Sequence, residues 1–564
     1  MKYLLNNKVL VIIVAIIILA SVLRFVSLTR ADMISDPATY SFRSIGYDDI
    51  MVSEKQTSPI YWFGTMPLWS KLSFHDHPPL AFIIQFIFFK IFGVSLLVAR
   101  LPYALFGVLS VLALYYLGKQ LYNKQVGIIS SLLLAVSSYH IWASQAGYLE
   151  GILILFLILS ILYFSKALNN HKYFVHWSIA FGLALLTKYT ALFSVPVFLI
   201  WWLFSKNKVE IIKNKKFILS IIIFLILISP VVVYNIMVYK TRGHFDLQFS
   251  VLFNQDLSDW PVLSEQSVGG NYLYNIKTTF STLKSAIPMP VFILSLLGLA
   301  YIALESIIKK TKKHLPLILA LIFVTVFFVF ASPASRMLSV YTPFVYLALS
   351  YLFYRLIKIK KVIFVPILGL FVIYLLIFSI NTNHLYQPIS KNRLLYSGIR
   401  LDNSGYNQLN DWLVDKIGKE NLQKPREILA EKDIYLLNDY KDVVKYTHGT
   451  LYVYDYNYNW FAFLWYLKSK SMYYNIPIIS TNDLIEILNM ERGDEVINAL
   501  GLDGIYFIRM TENVLPNTQE YISDASEEIE KNILASGIQP QEVIYNPIGQ
   551  AAFNIYYLPK IKLE

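Results

Sequence analysis

What most limits the fold of this chain is a series of long apolar runs that recur from the N terminus to Ile380 and then stop. Two of them are "VLVIIVAIIILASVL" (9–23) and "FILSIIIFLILISPVVVYNI" (217–236). A helix needs roughly 20 such residues to cross the hydrocarbon of a bilayer, where each backbone polar group has to find its partner inside the segment. The reading is a polytopic α-helical membrane protein, and a composition of 56% hydrophobic and 15% charged residues agrees with it. The first run follows Lys8 and leads into "RFVSLTRADM", which offers no small-residue cleavage pattern. It is therefore read as a transmembrane helix and not as a removed signal.

The net charge of +12 is carried by short basic clusters between the runs: Lys119/Lys124, Lys166 to Lys172, Lys206 to Lys216, Lys309 to His314 and Arg355 to Lys361. Lysines so placed anchor cytoplasmic loops and imply no nucleic-acid partner. If every cluster faces the cytoplasm, the number of crossings between neighbouring clusters must be even. Only the interval from Lys8 to Lys119 breaks the rule, with three runs at 9–28, 79–93 and 97–117. The middle run, of about 15 residues and interrupted by Gln85 and Lys90, has the length of an interfacial helix. It is expected to lie along the outer surface. About eleven crossings then remain, with a cytoplasmic N terminus and outer loops at 29–96 and 239–287. A membrane domain over 1–380 is followed by a soluble extracytoplasmic domain over 381–564.

The tail reads as α/β. "SGYNQLNDWLVDKIG" (404–418) suggests a helix capped by Ser404 and stopped by Gly418, and "STNDLIEILNM" (480–490) a second capped helix. "REILAEKD" (426–433), "TLYVYDYN" (450–457), "IPIIS" (476–480) and "GIYFIRM" (504–510) read as strands. The absence of cysteine excludes disulfides, thiol catalysis and cysteine-bound metals.

The same topology sorts the polar residues. Asp48 and Asp49 in "GYDDI", His75, Asp76 and His77 in "HDHPPL", Arg100, Glu150, Lys188 and Arg336 all fall on the outer side. Each alone has an ordinary reading, as a solvated acid pair or a snorkelling cation. Together they gather carboxylates suited to proton transfer with cations suited to a phosphate, at depths where idle charge is costly. Asp48, Asp49 and Glu150 are the catalytic candidates, Lys188, Arg336 and Arg100 the phosphate-binding candidates, and Tyr47 and His77 their supports. Asp36 is a rival for the part of Asp48. His75 and His77 lack a clear third ligand, so no metal cofactor is expected, with a divalent cation as the subordinate alternative.

These residues carry a resemblance. "GYDDI", "HDHPPL", the stretch from "ARLPYALFG" to "AGYLEGILILF" and "LALLTKYTAL" resemble, in order and spacing, the dolichyl-phosphate-mannose protein mannosyltransferase and aminoarabinose transferase superfamily, with "SRMLSVYTPF" (335–344) similar to a later segment. The resemblance covers residues 1 to about 210 best. It implies a GT-C fold, a polyprenyl-phosphate-linked sugar donor, an extracytoplasmic site and inverting transfer. Asp48 resembles the catalytic carboxylate of the family's Asp-Glu motif, Asp49 stands at its glutamate, and Glu150 takes the place of a second acid. His77 matches the His-Pro-Pro segment that precedes a juxtamembrane helix, and Lys188 and Arg336 look like donor-phosphate contacts. Gln145 departs from the arginine of many members, so donor and acceptor are open.

The expected function is an integral-membrane glycosyltransferase moving a hexose from a polyprenyl phosphate to a hydroxyl of a protein, glycan or lipid. One rival is an oligosaccharyltransferase-like enzyme, for which "LYVYDYNYNW" (451–460) is only an echo of the usual Trp-Trp-Asp-Tyr-Gly signature. The other is a lipid or sugar transporter or flippase, which would place ionisable residues near mid-membrane and repeat its halves.

Overall fold

A computed structural model describes residues 2–52, 57–261, 272–331, 333–390, 392–400, 402–434, 449–489, 503–514 and 523–559. The chain divides into two compact units. One comprises Met1–Leu28, Leu72–Ile84 and Leu96–Arg400, and the other Thr29–Lys71, Gln85–Ser95 and Leu401–Glu564. This differs from a single cut at residue 380, because most of the first outer loop groups with the tail. The reason is visible at Asp32, a buried loop carboxylate that accepts hydrogen bonds from the Ser404 amide (2.7 Å), the Ser404 hydroxyl (3.1 Å) and the Asn407 amide (3.0 Å).

In the first unit, seven helices among the described residues are long and apolar enough to cross a membrane: Lys8–Phe25, Leu96–Leu121, Glu150–Ala167, Lys215–Arg242, Met289–Ile308, Met337–Ile359 and Lys361–Asn383. An eighth candidate is the pair Lys124–Ala135 and Ser138–Ala146, bent by 58°. Ser137 makes the bend, its hydroxyl accepting from the His140 amide and starting a new helix. Tyr173–Thr187, Tyr189–Leu203 and Leu315–Phe330 are shorter apolar helices. All eleven runs expected to cross are thus helical, and eight reach crossing length when the bent pair is taken as one. Close packing depends on small residues. A Cβ added at Gly118 would lie 2.9 Å from Gly127 Cα, so the helices that carry these two glycines approach backbone to backbone.

The run after "HDHPP" is the 13-residue helix Leu80–Phe92. At 1.5 Å per residue it covers about 20 Å, short of the roughly 30 Å of hydrocarbon.

The second unit carries a five-stranded sheet of β1 (Thr450–Tyr454), β2 (Ile478–Ser480), β3 (Gly504–Met510), β4 (Glu542–Tyr545) and β5 (Ala551–Pro559), in the order β2-β1-β3-β5-β4. The first three strands are parallel, and β5 pairs antiparallel with both β3 and β4. Residues two apart share a face, so Leu451 and Val453 of β1 join Phe507 of β3 and Tyr556 of β5 in the core. The helices Thr481–Leu488 and Ala525–Ala535 cover that face through Ile487 and Ile533. Ser480 caps the first by accepting from the Asp483 amide (3.1 Å) while Asp483 accepts from the Ser480 amide (2.9 Å).

Two local expectations are corrected. "REILAEKD" is not a strand; only Ala430 bridges, to Thr65, before a short 3-10 turn at Glu431–Asp433. Ser404 does not cap the helix Tyr406–Ile417, since its amide and hydroxyl both serve Asp32, which takes over the cap from a distant part of the sequence. Gly418 does end that helix, at φ 85°.

Candidate functional site

The two carboxylates of "GYDDI" are held by a helix end. Asp36–Gly46 is helical with Pro37 in its first turn, and Tyr47 then adopts the left-handed conformation (φ 58°, ψ 49°). For a side chain larger than glycine this conformation costs roughly 1–2 kcal/mol. The Asp48 amide returns to Arg43 O (3.0 Å) and closes the turn. Gly46 is needed beside it, because a Cβ there would collide with the Asp48 carboxylate. The turn buries both acids, Asp48 at 2% exposure and Asp49 at 1%, and gives each its own cation. Lys71 Nζ donates to Asp48 Oδ1 at 2.5 Å, and the fully buried Arg43 pairs with Asp49.

Tyr47 completes this arrangement: its hydroxyl donates to Lys71 O (3.1 Å), and Lys71 donates back to Tyr47 O (3.2 Å). Burial pushes the Asp48 carboxyl above its ordinary 3.8, against the opposing pull of Lys71, and Glu427 and Asp49 push in the same direction as burial. A carboxylate so raised is a stronger base than one in water. Asp36 instead occupies the first turn of its helix, where it favours the dipole and accepts weakly from Tyr40 (3.4 Å).

The second constellation belongs wholly to the membrane unit. Glu150 opens the helix Glu150–Ala167 and is 1% exposed. Its Oε1 accepts from Lys188 Nζ at 2.5 Å, whereas Oε2 has no hydrogen-bond partner among the described residues. Lys188 sits at the break in "TKYT": the helix Tyr173–Thr187 ends, Lys188 is extended, and a 3-10 turn follows at Tyr189–Phe193. Arg336 adds its positive charge to Glu150, and the buried Tyr103 lies near the same carboxylate. Arg100, 1% exposed, donates to Leu28 O (3.0 Å) and so braces the end of the first helical segment. Gln145 works close by, donating to Val26 O (3.0 Å) and Leu23 O (3.3 Å).

In "HDHPP", His77 Nδ1 lies 3.0 Å from Asp76, and His75 stacks on the buried Trp260 with ring centres 6.1 Å apart. His75 O accepts from the Leu247 amide (2.7 Å), which ties this segment to the outer loop after Arg242.

The structure thus brings Asp48 and Asp49 together in one unit, and Glu150, Lys188 and Arg336 in the other. Sequence reasoning missed Lys71, Arg43 and Asp246. Lys71 had a signal, since in the expected topology it falls in an outer loop, against the positive-inside trend, as Arg100 and Arg336 do. Beside Lys188, an apolar cavity of about 570 Å³ is lined by Phe181, Leu185, Tyr189, Phe224 and Phe249 among others.

Residues 76–234 match the family model of dolichyl-phosphate-mannose-protein mannosyltransferases. YkcB of Bacillus subtilis (strain 168), named for mannosyltransferase activity, is 31% identical over 137 residues, 23% of this chain and 19% of its own. An uncharacterised protein of Aquifex aeolicus (strain VF5) is 29% identical over 155 residues, 27% of this chain and 31% of its own. The chain therefore spans less than a third of these relatives' length. ArnT from Cupriavidus metallidurans, solved in its apo state and bound to undecaprenyl phosphate, aligns over 98% of both chains at 11% identity, with TM-scores of 0.51 and 0.50. That likeness establishes a common fold with ArnT, and residues 76–234 resemble the dolichyl-phosphate-mannose-protein mannosyltransferases.

Proposed function

We propose that the protein is a multi-pass membrane glycosyltransferase that moves a sugar from a polyprenyl phosphate to an acceptor hydroxyl. The observation that carries this reading is the position of Lys188. Lys188 is buried, and the residues around it in the chain, Leu186 and Tyr189, line an apolar cavity; a cation in such a neighbourhood suits an anionic head group with a hydrocarbon tail, and Arg336 adds a fork that can grip a phosphate. The phosphate to which ArnT binds carries such a tail.

In this reading Asp48 accepts the proton of the acceptor hydroxyl as its oxygen bonds to the anomeric carbon. The lipid phosphate leaves with the electron pair of the broken C–O bond, and its charge is met by Lys188 and Arg336. Attack opposite the leaving group inverts the anomeric centre. Asp49, fixed by Arg43, orients the loop, and Glu150 holds Lys188 in place before the donor arrives. A hexose is the expected sugar, and the acceptor a protein, glycan or lipid. Purified protein incubated with a panel of polyprenyl-phosphate sugars should release polyprenyl phosphate from at least one of them. No release from any member, with or without hydroxyl acceptors, refutes the reading.

The proposed orientation has a cytoplasmic N terminus and an extracytoplasmic tail. Cysteines in place of the exposed Lys119 and Asn392 should then be labelled from opposite sides of the membrane. Labelling of both from one side would remove this topology.

A further inference from the structure

Asp246 is fully buried at the start of the outer loop, immediately after the long helix Lys215–Arg242, and its carboxylate is completely used. Oδ2 accepts from the Tyr189 hydroxyl (2.7 Å) and from Asn235 Nδ2 (3.0 Å), and Oδ1 accepts from the Phe249 amide (2.9 Å). Its own amide donates to Asn235 Oδ1 (2.8 Å), so Asp246 and Asn235 clasp each other through both side chain and backbone. The next residue, Leu247, donates its amide to His75 O. Four pieces of the membrane unit meet here: the "TKYT" break, the end of the long helix, the short helix Leu247–Leu252 and the "HDHPP" segment.

The partner that matters is Tyr189. It follows Lys188 directly, at the point where the backbone leaves one helix and enters a 3-10 turn: the Lys188 amide still donates to Ala184 O (3.0 Å) and its carbonyl accepts from the Ala191 amide (3.1 Å), while its own backbone is extended. These two bonds fix the backbone at the break, and side-chain contacts on either side fix it further. Glu150 holds the lysine's far end, and Asp246 holds the chain on its C-terminal side. Tyr189 and Asn235 also line the apolar cavity, alongside Phe245 and Phe249. By drawing the Tyr189 hydroxyl and the Asn235 amide to itself, Asp246 keeps polar atoms off a wall that is otherwise hydrocarbon. Burial of this acid is costly, and its carboxyl is pushed up to about 6, with Asp76 adding to the rise. That so costly a group is hydrogen-bonded at both oxygens agrees with an active part in the site's geometry.

We propose that Asp246 is a positioning residue for the donor site: through Tyr189 it fixes the turn that carries Lys188. This rests on the reading of Lys188 as a phosphate contact. The test is equilibrium binding of undecaprenyl phosphate, without sugar, to the detergent-purified full-length protein and to the variants Lys188→Met, Asp246→Asn, Tyr189→Phe and Lys188→Met/Asp246→Asn, each checked for monodispersity and thermal midpoint.

Lys188→Met should weaken binding at least tenfold. Asp246→Asn and Tyr189→Phe should each weaken it roughly 3- to 10-fold, as the loss of one buried hydrogen bond would. The double variant should bind no more weakly than Lys188→Met alone, because Asp246 acts through the lysine. A purely structural Asp246 would instead give additive losses in the double variant, or a lowered midpoint with unchanged binding in Asp246→Asn; either overturns the inference. If Lys188→Met binds as the wild type does, the phosphate reading of Lys188 fails first, and the inference falls with it.

Discussion

Two lysine–carboxylate pairs, each 2.5 Å long, stand in the two units of this molecule and differ in what surrounds them. In the pair Glu150–Lys188 both side chains are buried, at 1% and 7% exposure. In the pair Asp48–Lys71 the acid is buried at 3% but the lysine is 38% exposed. A pair sealed on both sides holds each charge by the other, and removing one partner strands the second in a medium that solvates it poorly. A pair open on one side lets the cation swing into water, which frees the carboxylate for another partner. The sealed pair suits a fixed electrostatic element, and the open pair a base that must exchange its hydrogen bond during a cycle.

The largest effect that would sharpen this contrast is at Asp48. Asp48→Asn keeps shape and removes the base, so transfer should fall by roughly 10² to 10⁴ while undecaprenyl phosphate binding persists. Glu150→Gln should fall between Asp48→Asn and Asp49→Asn, the mildest of the three. Near-normal turnover in Asp48→Asn would move the base to Asp49 or Asp36.

Next come the cations of the sealed side. Lys188→Met and Arg336→Met should each raise the donor KM by the equivalent of about 1.5–3 kcal/mol, since charge-assisted phosphate contacts are of that size. Acceptor KM should stay put. A change confined to acceptor KM would break the assignment of phosphate to this unit.

The smallest effect is at Lys71, and its sign follows from Asp48. Burial raises that carboxyl and Lys71 lowers it, so Lys71→Met raises it further. Activity needs the ionised acid and is lost as pH falls through its value. The acid limb of the rate profile should therefore move to higher pH in Lys71→Met, with little change on the alkaline side. Because Asp48 itself is buried, losing its lysine also leaves the carboxylate less well compensated, so a modest fall in thermal midpoint should accompany the shift. An acid limb that stays where it was would show that Asp48 is not the group it reports.

The membrane helices were legible because hydrocarbon demands long uninterrupted apolar runs, and the "TKYT" break and the short "HDHPP" helix showed in their lengths. Asp48, Asp49, Glu150, Lys188 and Arg336 stood out in the sequence because charge at a membrane boundary is expensive, and the structure buries Asp48, Asp49, Glu150 and Lys188. Their partners were less so. Lys71 reaches Asp48 from 23 residues away, and Asp246 reaches Tyr189 from 57. No local pattern encodes such pairings. Ser404 shows the same limit in reverse: a serine before a helix is a good cap by propensity, yet a better acceptor arrived from Asp32 and used it as a donor. "REILAEKD" had the apolar residues of a strand without a neighbour to pair with beyond Ala430.

The helices Tyr173–Thr187 and Tyr189–Leu203, one on each side of Lys188, hold 15 residues apiece, or about 22 Å of rise if fully α-helical. A typical hydrocarbon layer is nearer 30 Å, so lipids beside them must shorten or splay, at a fraction of a kcal/mol per Å. The protein is then expected to carry its own patch of thinned bilayer, in which head groups descend toward the depth of Lys188. Turnover reconstituted in phosphatidylcholines of increasing acyl length should decline once the bilayer outgrows these two helices. Under the proposed function, a thick membrane would act as an inhibitor without occupying any site.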